Sequence, residues 1–335
     1  MIRLIPMHGG PHFDEWVALV LLRRYGKKRF PGVERASLVF WDFGGATPDG
    51  KPAADWLERG ALVIGQGYGM FDEHPCPERG ILRKKGHSTS SLVARELGLP
   101  KGTPIQRAVQ WLVDQVTKQD LNGVTSPLSI ESVLSAMCRN GVPSPEMVEF
   151  GVKAVEQILD DQIAFQEEFD KSRQDVADTV GNPDGSFYNY TEVGNCTLAF
   201  AYSTSERACT AARCRGATLV IRHDPVTRHV TIMADKKRGL PMEELASRLR
   251  RHSDPTDFAW TDVQAKEEGW VGPWYFHPAI GLITTGGNRV SAGLQSPKGL
   301  NIDEVMDIAT NFLEEFGGTQ TVQADQPSSR SLQTA

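Results

Sequence analysis

Over roughly the first 120 residues, short apolar runs alternate with amphipathic ones, and glycine or proline marks most of the changeovers. This rhythm constrains the chain more than any other feature, because strands alternating with helices must bury their faces on a mainly parallel sheet. Residues 2–7 are mostly apolar and read as a strand, which Gly9, Gly10 and Pro11 then turn. The following run, FDEWVALVLLRRYG, places Asp14 and Glu15 in its first turn and Arg23 and Arg24 just before Gly26. Acid at the start, base at the end and a glycine stop are what a helix prefers. SLVFWDF and ALVIG read as further strands, ADWLERG as a short helix, and SSLVARELG and IQRAVQWLVDQVTKQD as longer ones.

Between 146 and 178, Met147, Phe150, Val155, Ile158, Leu159, Ile163 and Phe169 recur at helical spacing, long enough to join two domains. Asn182, Pro183, Asp184 and Gly185 form a strong turn. Strand-like CTLAFAYS, ATLVIRHD and HVTIMAD follow, then helical MEELASRLRRH, a glycine-rich segment ending in TTGGNR, and a last helix over 301–316. The expected architecture is α/β, with a mainly parallel N-terminal domain over 1–145 and a linking helix over 146–180. A smaller α/β C-terminal domain spans 181–318, and a Gln-, Ser- and Thr-rich tail over 319–335 reads as disordered.

Composition narrows the class. Hydrophobic residues at 40% and charged residues at 23% describe a globular chain. No apolar run reaches the roughly 18 residues of a membrane span, and the opening run is too short for a signal-peptide core. Five scattered cysteines do not make a disulfide framework, which points to a reducing cytoplasm, and the lack of an apolar span points to no membrane partner. A net charge of −6 argues against a protein that coats nucleic acid nonspecifically, while leaving room for a local basic groove.

Three polar clusters carry the chemistry. His8, His12 and Asp14 lie at a strand end, its turn and a helix start, where α/β folds place their sites. Imidazole with carboxylate suits manganese, zinc or iron(II). Taken alone, two histidines four apart are as readily ordinary loop residues. Asp72, Glu73 and His74 follow the next strand, and Asp120 ends a helix. Candidate ligands after three successive units are harder to assign to solvated surface. Other signals carry less. Gly65, Gly67 and Gly69 are not followed by the helix a dinucleotide loop needs. Cys196, Cys209, Cys214 and His223 lack a close cysteine pair for zinc. Arg248, Arg250, Arg251 and His252 suit a helix C-terminus, and Trp260, Trp270, Trp274 and Tyr275 suit packing, with base stacking as the alternative.

The run from His8 to Glu15 resembles the His-x-Gly-x-x-His-x-Asp-Glu opening of the melanocyte-proliferating-gene exonuclease family, a branch of the DHH phosphoesterase superfamily. ALVIGQGYGMFDEHP is similar to that family's second signature, STSSLVARELG to its Ser-Ser helix, and VTKQDLNG to its Asp-Asn-Gly motif. IGLITTGGNR resembles the glycine-rich motif of its second domain. The resemblance covers most of the chain, and the first motif is the specific one.

It implies divalent metal, usually manganese, in one or two ions, and hydrolysis of phosphodiester or phosphoanhydride bonds by metal-activated water. By position, His8 and His12 would hold one ion and Asp14 the other. Asp120 would support the second ion, and His74, with Asp72 beside it, would act at the phosphate. Arg83, Lys84 and Lys85, and the Gly286, Gly287 and Arg289 segment, would bind substrate phosphates; a solvated basic loop accounts equally well for Arg83, Lys84, Lys85 and Arg289. Two departures stand out. Gly65 occupies the place of the family's bridging aspartate, and Glu73 that of a histidine. Glutamate still ligates a hard ion; glycine does not. Asp42, from the neighbouring strand, is the candidate replacement. The expectation is therefore a phosphodiesterase acting on nucleic acid or a nucleotide, the alternative being a non-catalytic nucleotide-, metal- or partner-binding protein on the same fold.

Overall fold

The computed structural model describes residues 1–41, 46–75, 86–123, 126–140, 145–174, 185–253, 274–285 and 300–317. The fold is mixed α/β, and the chain divides into two compact units, Met1–Gln166 and Glu167–Ala335. The division falls inside the long helix rather than at either of its ends.

In the first unit, β1 (Leu4–His8) pairs in parallel with β2 (Ser37–Trp41), in register from Leu4–Ser37 to His8–Trp41. Ile5 and Met7 are fully buried. The expected strand at 61–65 runs along the other edge of β1 but forms only a bridge, Leu4 with Ala61. Pro6 explains the loss. The N–H of Leu62 bonds the carbonyl of Leu4 at 2.9 Å, and that of Ile64 bonds the carbonyl of Pro6 at 3.1 Å. The alternate rung needs an N–H from residue 6, and proline has none.

Helix α1 (Phe13–Tyr25) is buried without interruption from Phe13 to Leu22, so it is a core helix rather than an amphipathic surface one. After α2 (Ala53–Glu58), the helices α3 (Thr89–Leu97), α4 (Pro104–Asn122) and α5 (Ile130–Arg139) pack around it. Helix α6 (Pro145–Ser172) comes so close that a Cβ on Gly151 would stand 2.9 Å from the ring of Trp16. It ends at Ser172, and residues 175–178 of the expected run lie outside the described residues.

The second unit carries a six-stranded sheet. Its strands are β3 (Phe187–Val193), β4 (Cys196–Tyr202), β5 (Leu219–His223), β6 (Val230–Ala234), β7 (Trp274–His277) and β8 (Leu282–Thr285), in the order β3-β4-β5-β6-β8-β7. Only β4 and β5 are parallel; the remaining pairs are antiparallel. One face buries Leu198, Leu219, Ile221 and Ile232 with α8 (Met242–Ser253) and α9 (Ile302–Phe316). The other buries Tyr188, Ala199, Ala201 and Val220 with α7 (Ala208–Cys214).

Elements α5, β3, α7, β7 and β8 were not expected from the sequence. The arginines ending α8 are engaged locally: Arg248 with Glu244 and Glu315, and Arg250 with the carbonyl of Trp274. Trp274 is fully buried. The expected turn at 182–185 falls mostly outside the described residues, as do Trp260, Trp270 and the tail from 318. Among the described residues, no helix is long and apolar enough to cross a membrane.

Candidate metal centre

The centre is built where β1 hands over to α1. Gly9 donates its N–H to the carbonyl of Trp41 at 2.8 Å, holding the chain as it leaves the sheet. The extended backbone of His12 (φ −75°, ψ 164°) starts the helix. Glu15, three residues on, turns back and accepts the His12 N–H at 2.9 Å, as a capping-box glutamate does. It also accepts the His8 N–H at 3.2 Å and meets His8 Nδ1 at 3.1 Å. Asp14, on the adjacent helical position, accepts the N–H of Thr89 at 2.9 Å, so the first turn of α3 is aimed at it.

A tight loop after residue 64 brings in the second cluster. Gly65 and Tyr68 both have positive φ (70° and 56°), and the Gly65 N–H reaches the carbonyl of Phe71 at 2.9 Å. Asp72 clamps this loop by accepting the N–H groups of Tyr68 at 2.6 Å and His74 at 2.9 Å, with His74 Nδ1 also at 2.9 Å. Glu73 accepts the hydroxyl of Thr89 at 2.8 Å. Thr89 thus ties the two clusters together, its N–H on Asp14 and its hydroxyl on Glu73. Asp120 arrives on α4, which is tied to α3 where Thr117 meets Ser88 through their hydroxyls at 2.7 Å. Thr117 and Asp120 share a helix face at i, i+3.

Two ligand sets result. One atom each from His12, Asp14 and Asp120 lie within 4.8 Å of one another, and so do atoms from Asp72, Glu73 and His74. The ring of His8 stacks on that of His12, with centroids 6.4 Å apart, and meets that of His74 edge-on at 6.1 Å. His8 itself belongs to neither set; its Nδ1 is engaged by Glu15 and its ring lies beside those of His12 and His74.

The electrostatics are lopsided. Asp14, Glu15, Asp72 and Glu73 are each at most 3% exposed. Burial first, then the charges of Glu15, Glu73 and Asp120, hold the Asp14 carboxyl well above the ordinary aspartate range. Burial likewise raises Glu73. For Asp72 burial pushes upward but is outweighed by the hydrogen bonds from His74 and Tyr68, and its carboxyl is lowered. Burial works against a protonated His8, yet the bond to Glu15 prevails and raises it. Among the described residues no cationic side chain pairs with Asp14. Asp14, buried among carboxylates with no described cation paired to it, fits a divalent cation, and a His-carboxylate donor set suits manganese, zinc or iron(II).

Of the expected site residues, His12, Asp14 and Asp120 come together, as do Asp72, Glu73 and His74, with His8 beside both sets. Asp42, Arg83, Lys84, Lys85, Gly286, Gly287 and Arg289 lie outside the described residues. Glu15 and Thr89 are participants that sequence reasoning left without a role, and Glu131 on α5 is another neighbour. Burial raises Glu131, which feels the charges of His12 and Asp120 and is held by Gln119 at 2.5 Å. The capping-box spacing from His12 to Glu15 was the available signal for Glu15. Cys196 and Cys209 are buried, and no described cysteine joins a ligand set. The interval from His8 to His12 is one residue shorter than in the motif it resembles. No model of a known protein family matches the chain, and no curated protein does either.

Proposed function

We propose that the chain is a metal-dependent phosphoesterase that hydrolyses phosphodiester bonds of nucleic acid or of a nucleotide. One observation carries this reading. His12, Asp14 and Asp120, drawn from a turn, α1 and the far end of α4, meet within 4.8 Å, and burial with neighbouring carboxylates holds the Asp14 carboxyl well above its ordinary range. These three residues would hold a divalent ion, manganese being a good match to imidazole and carboxylate. Such an ion supplies a Lewis acid for a phosphoryl oxygen and a water that ionises near neutral pH. His74, its side chain 42% exposed and its Nδ1 on Asp72, is the group that meets the substrate phosphate. Thr89 keeps Asp14 and Glu73 in place. The resemblance of the opening motif to DHH phosphoesterases agrees with this chemistry.

The second reading is a non-catalytic nucleotide- or metal-binding protein. It is favoured by Gly65, which supplies no ligand, and by Asp72, whose two oxygens already serve Tyr68 and His74. The deciding experiment uses the purified full chain with manganese, against single-stranded RNA, single-stranded DNA, a dinucleotide and bis(p-nitrophenyl) phosphate. Turnover that disappears in Asp14→Asn and Asp120→Asn supports the esterase. Manganese binding with every substrate left intact supports the binding protein.

A further inference from the structure

We infer that Glu15 is the positioning residue of this centre, presenting His8 through Nε2 and closing the space over Gly65, so that the centre is built for one ion. The inference rests on the metal-centre reading and adds to it a residue with a defined task. A glutamate at the third position of a helix ordinarily caps a single N–H. Glu15 is 2% exposed and both of its oxygens are committed. Oε1 takes the His8 N–H and Nδ1, and Oε2 takes the His12 N–H.

A carboxylate can only accept, so Nδ1 of His8 must carry the proton. In the neutral ring this leaves Nε2 as the basic nitrogen, and the ring plane is fixed at the same time. The same glutamate explains residue 65. A Cβ there would lie 2.4 Å from Glu15 Oε1, 2.6 Å from Cδ and 2.8 Å from Cγ, and the backbone has φ +70°. No side chain enters that space while Glu15 holds it. The Asp72, Glu73 and His74 set is largely committed to structure: Asp72 clamps Tyr68 and His74 of its own loop, and Glu73 takes the hydroxyl of Thr89 at the start of α3. His12, Asp14 and Asp120 remain as the set that takes an ion.

The test is manganese titration of the metal-stripped full chain, counting free Mn(II) by electron paramagnetic resonance. Ring ¹⁵N shifts of the metal-free protein are read alongside, at a pH where the imidazoles are neutral. Expected are one ion per wild-type chain and a His8 ring protonated at Nδ1. Glu15→Ala should lose that preference and, freeing the His12 N–H as well, bind the ion about 10–100-fold more weakly, the usual range for a group that orients a ligand. Gly65→Ala should weaken binding in the wild type and weaken it less in a Glu15→Ala background, because backbone strain at 65 is common to both and the clash is not. A wild-type His8 protonated at Nε2 overturns the inference without recourse to any variant. So does Glu15→Ala with unchanged shifts and affinity, and two equivalents of tightly held ion overturn the single-ion conclusion. No ion bound by the wild type would remove the metal-centre reading itself, and this inference with it.

Discussion

Both units bury charge, and they treat it differently. In the second unit Arg222 is 7% exposed and donates to the carbonyls of Ser203 and Thr204 and to Asp224. Asp224 also accepts the N–H groups of Val226 and Thr227. Burial would raise Asp224, but these bonds and the Arg222 charge hold it below the ordinary range. Nearby Glu168 accepts from Tyr188 and Ser203 and lies 3.8 Å from the Lys171 ammonium. Every charge there has an answer. In the first unit Asp14 has, among the described residues, a single N–H and carboxylate neighbours, and its carboxyl is held in the protonated direction. Balanced buried charge is architecture. Unbalanced buried charge marks a place that expects a ligand.

The largest effect should come from unbalancing the second unit. Asp224→Ala leaves Arg222 buried beside two carbonyls and no carboxylate, and should cost about 3–5 kcal/mol, as breaking a buried pair does. Denaturant unfolding measures it, and manganese affinity of the folded fraction should not change. A loss of ion affinity with no loss of stability would show that the two regions do not differ as argued. Next in size is Asp14→Asn, which keeps an acceptor for Thr89 and removes the charge. Ion affinity should drop at least about 100-fold, since a ligand is lost rather than merely loosened, and calorimetric titration reads it directly.

The same substitution should act on stability with the opposite sign. A carboxyl raised in the folded state holds its proton after the unfolded chain has released it, so the metal-free protein loses stability as pH rises above the ordinary aspartate value. Asp14→Asn removes that loss. The metal-free variant should melt a few degrees above the metal-free wild type near pH 8, with the gap closing as pH falls toward 4. A variant that melts lower at every pH would mean that Asp14 is a structural acid after all.

Much of this difference could be read before the fold was known, and some of it could not. The turn at Gly9 to Pro11, the charges at both ends of α1 and the acidic clusters at 14, 72–74 and 120 are local signals, and the structure gathers them. The reduced strand at 61–64 was not readable there, because its missing rung belongs to Pro6 on the neighbouring strand. Strand β3, with tyrosines at 188 and 190 amid polar residues, lacks the apolar run that marks its neighbours. Glu15 is the clearest case. An acid in a first helical turn suits the dipole whatever else it does, so its second task appears only when Gly65, fifty residues on, is seen folded against it.

The finest comparison sets two hydroxyls side by side. Tyr188 donates to Glu168 in the balanced unit, and Thr89 donates to Glu73 in the unbalanced one. Each removal strips one donor from a buried glutamate and should cost on the order of 1–2 kcal/mol if donor number alone decided the outcome. The surroundings predict a split. After Tyr188→Phe, Glu168 keeps Ser203 and Lys171, nothing else there expects a ligand, and the whole effect should appear as lost stability. After Thr89→Val the backbone N–H still serves Asp14, while Glu73, already raised by burial, loses one of the interactions that favour its charged form. A more neutral Glu73 adds less negative charge beside Asp14 and the ion set, so manganese affinity should fall about tenfold with little change in melting of the metal-free chain. Equal stability losses in the two variants, with ion binding untouched in both, would erase the distinction between the regions.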